Sequence, residues 1–367
     1  MSSFMDKENK MLDLVFCMDC TGSMGPYINK AKESIKSIVN KITEKSGCND
    51  LLFGLVAYRD HPPQENTYIT KKFNFTNNLE TMQNYLIDLK ANGGGDGPEA
   101  LTSALYEINT LEWRNDSTKI VIIISDAPPH GLGEYDDGFP NGDPNGYDPI
   151  IITKELASKG ITIYTVGCEP TINNYQFARA FLISLANLTG GQAIGLNNAN
   201  SLADVILGST IEELGITQLL EKVDEETKKV KYEYLSSGRS FTDDMILNDV
   251  YTNLSGFGVV TPQIKGCTVM RDSSEGIIEE SSDLASARIK LSSVKRDLSL
   301  QNTSSPIHKI AKFDDLFLDE TIEIPTFELN SKLFKINEEN VDVIEDIITK
   351  NQVKRLISRN SSTSTTK

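Results

Sequence analysis

Short runs of apolar residues alternate with amphipathic stretches along the first 215 residues of the chain. Four of these runs, three of them nearly continuous in Val, Ile, Leu and Phe, are typical of strands buried on both faces of a parallel sheet. Between the runs, apolar positions spaced by three and four residues predict helices. The alternation predicts an α/β fold with a doubly wound, mainly parallel sheet. We predict strands over 12–18, 51–58, 119–125 and 161–167, and helices over 27–45, 79–91, 98–112 (with Pro98 in its first turn), 148–159, 175–188 and 202–214.

The alternation weakens after residue 215. Charged amphipathic helices are predicted over 216–234 and 241–254, and residues 272–302 are rich in Ser and charge. Apolar pieces at 313–317, 322–327 and 341–348 leave open a small α/β or docking element near 305–357. Residues 358–367 are too polar to bury anything, so we expect a disordered tail there. We divide the chain into a polar N-terminal segment (1–10), an α/β domain (11–215), a partly helical extension (216–357) and a Ser/Thr tail (358–367).

The chain is acidic, with 36 Lys and Arg against 52 Asp and Glu, a net charge of -16 and a pI near 4.7. This charge argues against a nucleic-acid or anionic-membrane surface, because phosphates would be repelled. Five cysteines in 367 residues are too few for a disulfide framework. The longest apolar runs fall far short of the roughly 20 residues that a membrane span needs. We therefore expect a soluble, cytoplasmic protein.

The first predicted strand ends in a loop that carries an acid and two hydroxyls at alternate positions, Asp19, Thr21 and Ser23. Gly22 opens this loop, so the three side chains can point at one centre. Hard oxygen ligands at this spacing suit Mg²⁺ or another hard divalent cation. A strand-end turn with capping side chains would use the same residues, and the motif by itself leaves that alternative open.

Two further acidic loops lie at the ends of other predicted elements. The glycine-rich stretch 93–100 presents Asp96 and Glu99, and Asp126 follows the strand over 119–125. In a doubly wound sheet the carboxyl ends of the strands meet at one edge, where ligands bind. We therefore expect Asp19, Glu99 and Asp126 to meet there.

At these residues the chain resembles the von Willebrand factor A family and its metal ion-dependent adhesion site. Asp19, Thr21 and Ser23 match the first loop of that family, Asp-x-Ser/Thr-x-Ser. The second loop, 96–99, lacks the commoner metal-binding Thr and looks like the Asp-x-Pro-Glu loop of integrin beta subunits. The resemblance therefore implies that Glu99 is a metal ligand.

The resemblance also implies a second, Ca²⁺-binding site. Residues 56–62 look like the integrin beta segment that supplies an acid to that site, and the carried-over ligands are Asp60, Asp96, the carbonyl of Pro98 and Glu99. Gly94 stands where the integrin site has a further Asn. The stretches 57–63, 93–100, 125–131 and 136–148 are similar to the A-domains attached to alpha-kinases in amoebae, but no kinase domain follows, so kinase activity is not implied.

By the logic of this family, Thr21, Ser23 and Glu99 would bind Mg²⁺ or Mn²⁺ directly, while Asp19 and Asp126 would hold metal-bound waters. With one direct carboxylate the cation keeps an open position, which an Asp or Glu of a partner protein can fill. The resemblance thus implies a non-catalytic, adhesion-type protein-binding module.

Other interpretations stay open beside this one. A Mg²⁺ phosphatase of the haloacid dehalogenase type would use Asp19 as nucleophile, but it needs a second acid where this chain has Thr21. A Ser23–His130–Asp126 hydrolase lacks the expected nucleophile-elbow pattern. A scaffold with an empty metal site is the third alternative. The loop 136–148 has the acids for Ca²⁺, although its Asp-Pro and Asn-Gly turns explain them without an ion.

Overall fold

The computed structural model describes residues 11–46, 48, 50–294 and 341–364. The apolar pieces noted at 313–317 and 322–327 lie outside the described residues. The main sheet is formed by β1 (Met11–Asp19), β2 (Asp50–Tyr58), β3 (Thr70–Thr76), β4 (Thr118–Ser125), β5 (Ile161–Cys168), β6 (Ala193–Leu196) and β8 (Thr268–Val269), and a small second sheet by β7 (Val260–Lys265) and β9 (Asp342–Ile347).

The main sheet has the order β3-β2-β1-β4-β5-β6-β8. Its five central strands are parallel, and the two edge strands β3 and β8 are antiparallel to their neighbours. The register aligns the ends of the central strands, since Asp19 pairs with Tyr58 and Ser125 pairs with Gly167. The prediction of a doubly wound, mainly parallel sheet is confirmed, and its carboxyl-terminal edge is called the rim below.

Helices cover both faces of the sheet. Because side chains alternate between the faces of a strand, Leu14 and Phe16 pack on one side while Val15 and Cys17 pack on the other. The helices are α1 (Gly25–Ser46), α2 (Leu79–Ile87), α3 (Leu101–Asn109), α4 (Pro149–Ser158), α5 (Ala178–Thr189), α6 (Leu202–Thr217), α7 (Leu220–Ser236), α8 (Asp243–Gly256), α9 (Glu275–Glu279), α10 (Leu284–Ser292) and α11 (Lys350–Ser364).

The segment after residue 215 packs against the sheet domain. Strand β7 lies on α6, where Gly208 and Gly215 make room for it: a Cβ at Gly215 would come within 2.4 Å of Pro262 Cδ. Helices α7, α8 and α11 share a third core that includes the fully buried Val223, Val250 and Leu356. In the described part of the chain, no helix has both the length and the apolar character required to cross a membrane.

Among the differences from the sequence-based expectations are the start of one helix and the end of another. Helix α3 begins at Leu101 rather than near Pro98, because the backbone N–H of Glu99 donates to the carbonyl of Pro128 and holds 98–100 in the loop. Helix α11 continues to Ser364, so residues 358–364 are helical where a disordered tail was expected. Its buried residues Val353 and Leu356 anchor it in the third core, and residues 365–367 lie outside the described residues.

Candidate metal centre

Three carboxylates meet at the rim. Asp19 is the last residue of β1, Asp126 directly follows β4, and Glu99 lies just ahead of α3. All three are buried, with exposed fractions of 0%, 2% and 4% respectively. Electrostatic repulsion couples Glu99 to both aspartates. The structure therefore brings together the three acids that sequence reasoning expected at this edge.

Hydroxyl groups surround these acids. Asp19 Oδ1 accepts hydrogen bonds from the backbone N–H and the Oγ1 hydroxyl of Thr21, at 2.9 and 2.7 Å, and its Oδ2 accepts from Ser125 Oγ at 3.2 Å. Burial raises the pKa of Asp126 and an interaction with Ser23 opposes this rise, while Ser23 itself is exposed to solvent. Asp19 thus orients the Thr21 hydroxyl, and Ser23, the other hydroxyl predicted as a metal ligand, interacts with Asp126. Sequence reasoning assigned no role to Ser125.

Of the three rim acids, Glu99 is the one whose carboxylate has a buried oxygen without a hydrogen-bond partner. Its Oε2 is buried and has no hydrogen-bond partner. Burial, and then the charges of Asp19 and neighbouring acids, raise the pKa of Glu99 well above its usual range. Burial and the charge of Asp126 raise the pKa of Asp19 to about 7, and burial also raises the pKa of Asp126. Clustered carboxylates beside hydroxyl oxygens form a donor set that fits a hard divalent cation.

The loops that carry these residues are tied together by the backbone. The N–H of Gly22 donates to the carbonyl of Gly93 at 3.1 Å, and Arg59 Nε donates to the carbonyl of Cys20 at 3.3 Å. Gly94 has a φ of +86°, and a Cβ there would come within 2.8 Å of Glu99 Oε1. Only glycine combines this backbone conformation with the close approach of the Glu99 carboxylate.

A second cluster lies beside the first. Asp60, Asp96 and His130 each place a potential ligand atom within 4.8 Å of the other two. Pro98 is buried in the loop next to them, and the charges of Asp60 and Asp96 act on Glu99, so the four residues predicted for a second site lie in one region. Sequence reasoning missed His130 here because Asp60 lies 70 residues away along the chain.

The two ring nitrogens of His130 face different acids. Nε2 lies 2.7 Å from Asp60 Oδ1, and Nδ1 lies 2.7 Å from Asp137 Oδ1. Although burial alone would lower the pKa of His130, Asp137 and Asp60 raise it to about 9. His130 is therefore engaged away from Ser23 and Asp126, which argues against the hydrolase arrangement.

The acidic loop over 136–148 uses its carboxylates within the fold. Asp148 caps α4 by accepting from the N–H of Ile150 at 2.9 Å, and it also accepts from the N–H of Leu284 at 2.7 Å. Asp143 accepts from the hydroxyl of Ser103 and from the N–H of Asn145. These contacts support the interpretation of the loop as turn and capping chemistry.

A surface groove of about 530 Å³ opens beside Ser23. It is lined by residues of α1 and of the loops after β5 and β6, including Tyr27, Lys30, Thr171 and Asn198. The exposed side of the candidate centre therefore adjoins a concave surface that a partner can reach.

A family model described as von Willebrand factor type A domain matches residues 13–205. The chain is 34% identical over 160 residues to an alpha-protein kinase, vwkA, of Dictyostelium discoideum, a match that covers 43% of this chain and 25% of that protein. It is 29% identical over 211 residues to a putative ariadne-like RING finger protein of Acanthamoeba polyphaga mimivirus, covering 56% of this chain and 20% of that protein. The matches thus span a quarter or less of these relatives. A solved von Willebrand factor type A structure from Catenulispora acidiphila aligns with a TM-score of 0.41 at 15% identity, over 56% of this chain and 43% of that one.

Proposed function

Because the chain belongs to the von Willebrand factor type A domain family, we propose that it is a non-catalytic module that binds a protein partner through a divalent metal ion. Domains of this family are typically protein-interaction modules and commonly hold such an ion. The observation that carries the proposal is Glu99, whose Oε2 is buried without a partner beside Asp19 and Asp126. A cation would supply the missing positive charge.

In this proposal Thr21, Ser23 and Glu99 bind Mg²⁺ or Mn²⁺ directly. Asp19 and Asp126 do not contact the ion directly but support the residues that do. The hydrogen bond that Thr21 Oγ1 donates to Asp19 supports this division, because it orients the hydroxyl oxygen, and Ser23 interacts with Asp126 in the same region. When bound, the ion supplies a Lewis-acidic centre that a carboxylate can reach from solvent. Ser23 lies on the exposed side, where that approach is open.

The proposed partner is a protein that presents an Asp or Glu carboxylate. The groove beside Ser23 offers a surface for the residues that flank this carboxylate, and its lining contains Lys30 as well as Glu33 and Glu169. A bound cation also explains how a chain with a net charge of -16 can bind an acidic group. We place the module in the cytoplasm, a proposal supported by its having only five cysteines in 367 residues, too few for a disulfide framework.

Calorimetric titration with Mg²⁺ and Mn²⁺ tests the proposal on three proteins: the unmodified chain, Ser23→Ala with Glu99→Ala, and the control Ser158→Ala with Glu155→Ala. The control pair changes the same residue types at the far end of α4. We expect metal binding in the unmodified chain and the control, and a loss of affinity of at least about 100-fold in the rim variant.

Equal binding by all three proteins would contradict the assignment of the site. A positive result leads to pull-down of partners in Mg²⁺ with elution by chelator. The phosphatase alternative makes a different prediction, because it requires hydrolysis of p-nitrophenyl phosphate that disappears in Asp19→Asn.

A further inference from the structure

We propose that His130, Asp60 and Asp96 form a second metal site, which selects a first-row transition ion such as Zn²⁺, Co²⁺ or Mn²⁺ over Ca²⁺. The sequence implied Ca²⁺ ligation by Asp60, Asp96, Pro98 and Glu99 instead. The two assignments differ in the nitrogen ligand and therefore in the ion. The inference does not depend on the ion proposed at Ser23.

The geometry of the acids is the first support. Asp60 is fully buried, and its Oδ2 has no hydrogen-bond partner. Asp96 Oδ1 is likewise a buried atom without a partner. One oxygen of each of these carboxylates and one ring nitrogen of His130 lie within 4.8 Å of one another. Two carboxylates this close, each with a buried oxygen that no donor reaches, need a proton or a cation between them.

The surroundings of His130 are the second support. Its Nδ1 lies 2.7 Å from Asp137 Oδ1, and the Asp137 carboxylate is fixed by the N–H groups of Gly131 and Phe139 at 2.7 and 2.9 Å. A carboxylate on one ring nitrogen keeps the proton there and turns the other nitrogen into a ligand, which is the usual arrangement behind a metal-binding histidine. Nε2, the proposed ligand atom, lies 2.7 Å from Asp60 Oδ1.

The walls of the site restrict water. Phe139 packs edge-on against His130 and also against His61, with ring centroids 4.9 and 5.3 Å apart. The His61 ring lies 5.8 Å from the His130 ring between centroids, and its Nε2 lies 3.4 Å from Asp143 Oδ2. The chain therefore contains a second buried histidine that serves as a matched control.

An imidazolium at His130 is the rival explanation for this cluster. It would pair with Asp60 Oδ1 and Asp137 Oδ1, yet it would leave Asp60 Oδ2 and Asp96 Oδ1 buried without a hydrogen-bond partner. Arg59 does not fill the gap, since its guanidinium is bound by Glu65, Thr67 and two backbone carbonyls. A divalent ion compensates both aspartates where one imidazolium does not.

The ligand set determines which ion fits. One imidazole nitrogen with two carboxylates suits Zn²⁺, Co²⁺ or Mn²⁺. Ca²⁺ instead takes six to eight oxygen ligands and gains little from imidazole. A transition ion would therefore be preferred over Ca²⁺ at this position.

Titration of the full chain carrying Ser23→Ala with CoCl₂, followed by calorimetry and visible absorption, tests the site apart from the one at Ser23. We expect one bound Co²⁺ whose spectrum lacks the intense band of cysteine ligation, and weaker binding of Ca²⁺. Adding His130→Gln should lower Co²⁺ affinity at least about tenfold, and Asp137→Asn about 10- to 100-fold. His61→Gln should leave it unchanged within about twofold.

Crystals of the Ser23→Ala chain soaked in Co²⁺ give a second measurement that does not rely on changing the site. Anomalous scattering should place cobalt next to His130 Nε2. Absence of that peak, equal affinity with His130→Gln, or tighter binding of Ca²⁺ than of Co²⁺ would overturn the proposal. Loss of Mg²⁺ binding at Ser23 with Co²⁺ binding intact would separate the two sites.

Discussion

Two buried acidic clusters at different places in this molecule are compensated in opposite ways. The rim cluster contains Asp19, Glu99 and Asp126, and in the described part of the chain no Lys or Arg forms an ion pair with them. The other cluster, here called the clasp, is separate from the Asp60, Asp96 and His130 group. It joins Glu212 and Glu213 of α6 to Arg355 and Arg359 of α11. One cluster has two arginines for two glutamates, and the other has no cationic side chain.

The pKa values of Glu213 in the clasp and Glu99 at the rim reflect this difference in neutralisation. Burial alone would raise the pKa of Glu213, but Arg359 and Arg355 lower it. Burial raises the pKa of Glu99, and the neighbouring acids raise it further. The clasp is therefore neutralised by arginines of the chain, whereas the rim acids have no cationic partner among the described residues. In our proposal this difference separates a structural ion cluster from a metal-binding site, even though both are buried and contain acids.

The largest effect should come from breaking the clasp. Arg355 is 4% exposed and binds Glu212, Glu213 and the carbonyl of Gly190. Arg355→Ala would leave two buried glutamates with one arginine, so we expect the free energy of unfolding to fall by about 3–5 kcal/mol. Urea denaturation measures this change, with the exposed neighbour Lys354→Ala as control. A loss no larger than that of Lys354→Ala would refute the structural role of the clasp.

A smaller effect is expected at the rim from Gly94→Ala. The substitution forces a φ near +86° on alanine, which costs about 1–2 kcal/mol, and places a Cβ against Glu99. Gly146→Ala is the matched control, because its φ is +79° and its added Cβ would meet nothing within 4 Å. Both variants should lose similar stability, but only Gly94→Ala should weaken Mg²⁺ binding, by about tenfold. Equal Mg²⁺ affinities would show that Glu99 is not placed by this loop.

The smallest effect is a change in how stability depends on pH. Because the folded-state pKa of Glu213 is lowered, its contribution is present above the ordinary value of 4.5 and is lost as the pH falls through the folded-state value. Glu213→Gln should therefore make the loss of stability between about pH 5 and 3 shallower. Urea denaturation at several pH values tests this, with the exposed Glu155→Gln as control. An unchanged slope would mean that Glu213 is not held ionised by the arginines.

Much of the fold was predictable from the sequence because buried parallel strands have a simple pattern. The runs at 12–18 and 119–125 are apolar throughout or nearly so, and β1 and β4 lie there. Strand β3 escaped prediction because it is a half-exposed edge strand, and β6 because four residues are too few for a period to show. Only part of α11 was predicted, because the residues against which its buried side chains pack lie in other segments of the chain.

The site was predictable to the extent that one rule of sheet topology governs it. Strand ends converge, so Asp19 and Asp126 could be placed at one edge, and Glu99 followed from its loop. The partners of His130 could not be derived in this way, because Asp60 and Asp137 reach it from two separate loops. Similarly, the pairing of Arg355 with Glu212 spans 143 residues, and no local pattern encodes it.

The clasp limits where this protein can be truncated and which segments a domain swap must include. The match to the family model ends at residue 205, inside α6, whereas the arginines that neutralise the end of that helix come from 350–364. A fragment trimmed at the family boundary would lose most of α6, including the Gly208 surface on which β7 packs, and one ending at 217 would keep Glu212 and Glu213 without their arginines. The region that matches the family model is therefore smaller than the region that neutralises its own buried charges, and we expect domain swaps to work better when they include α11.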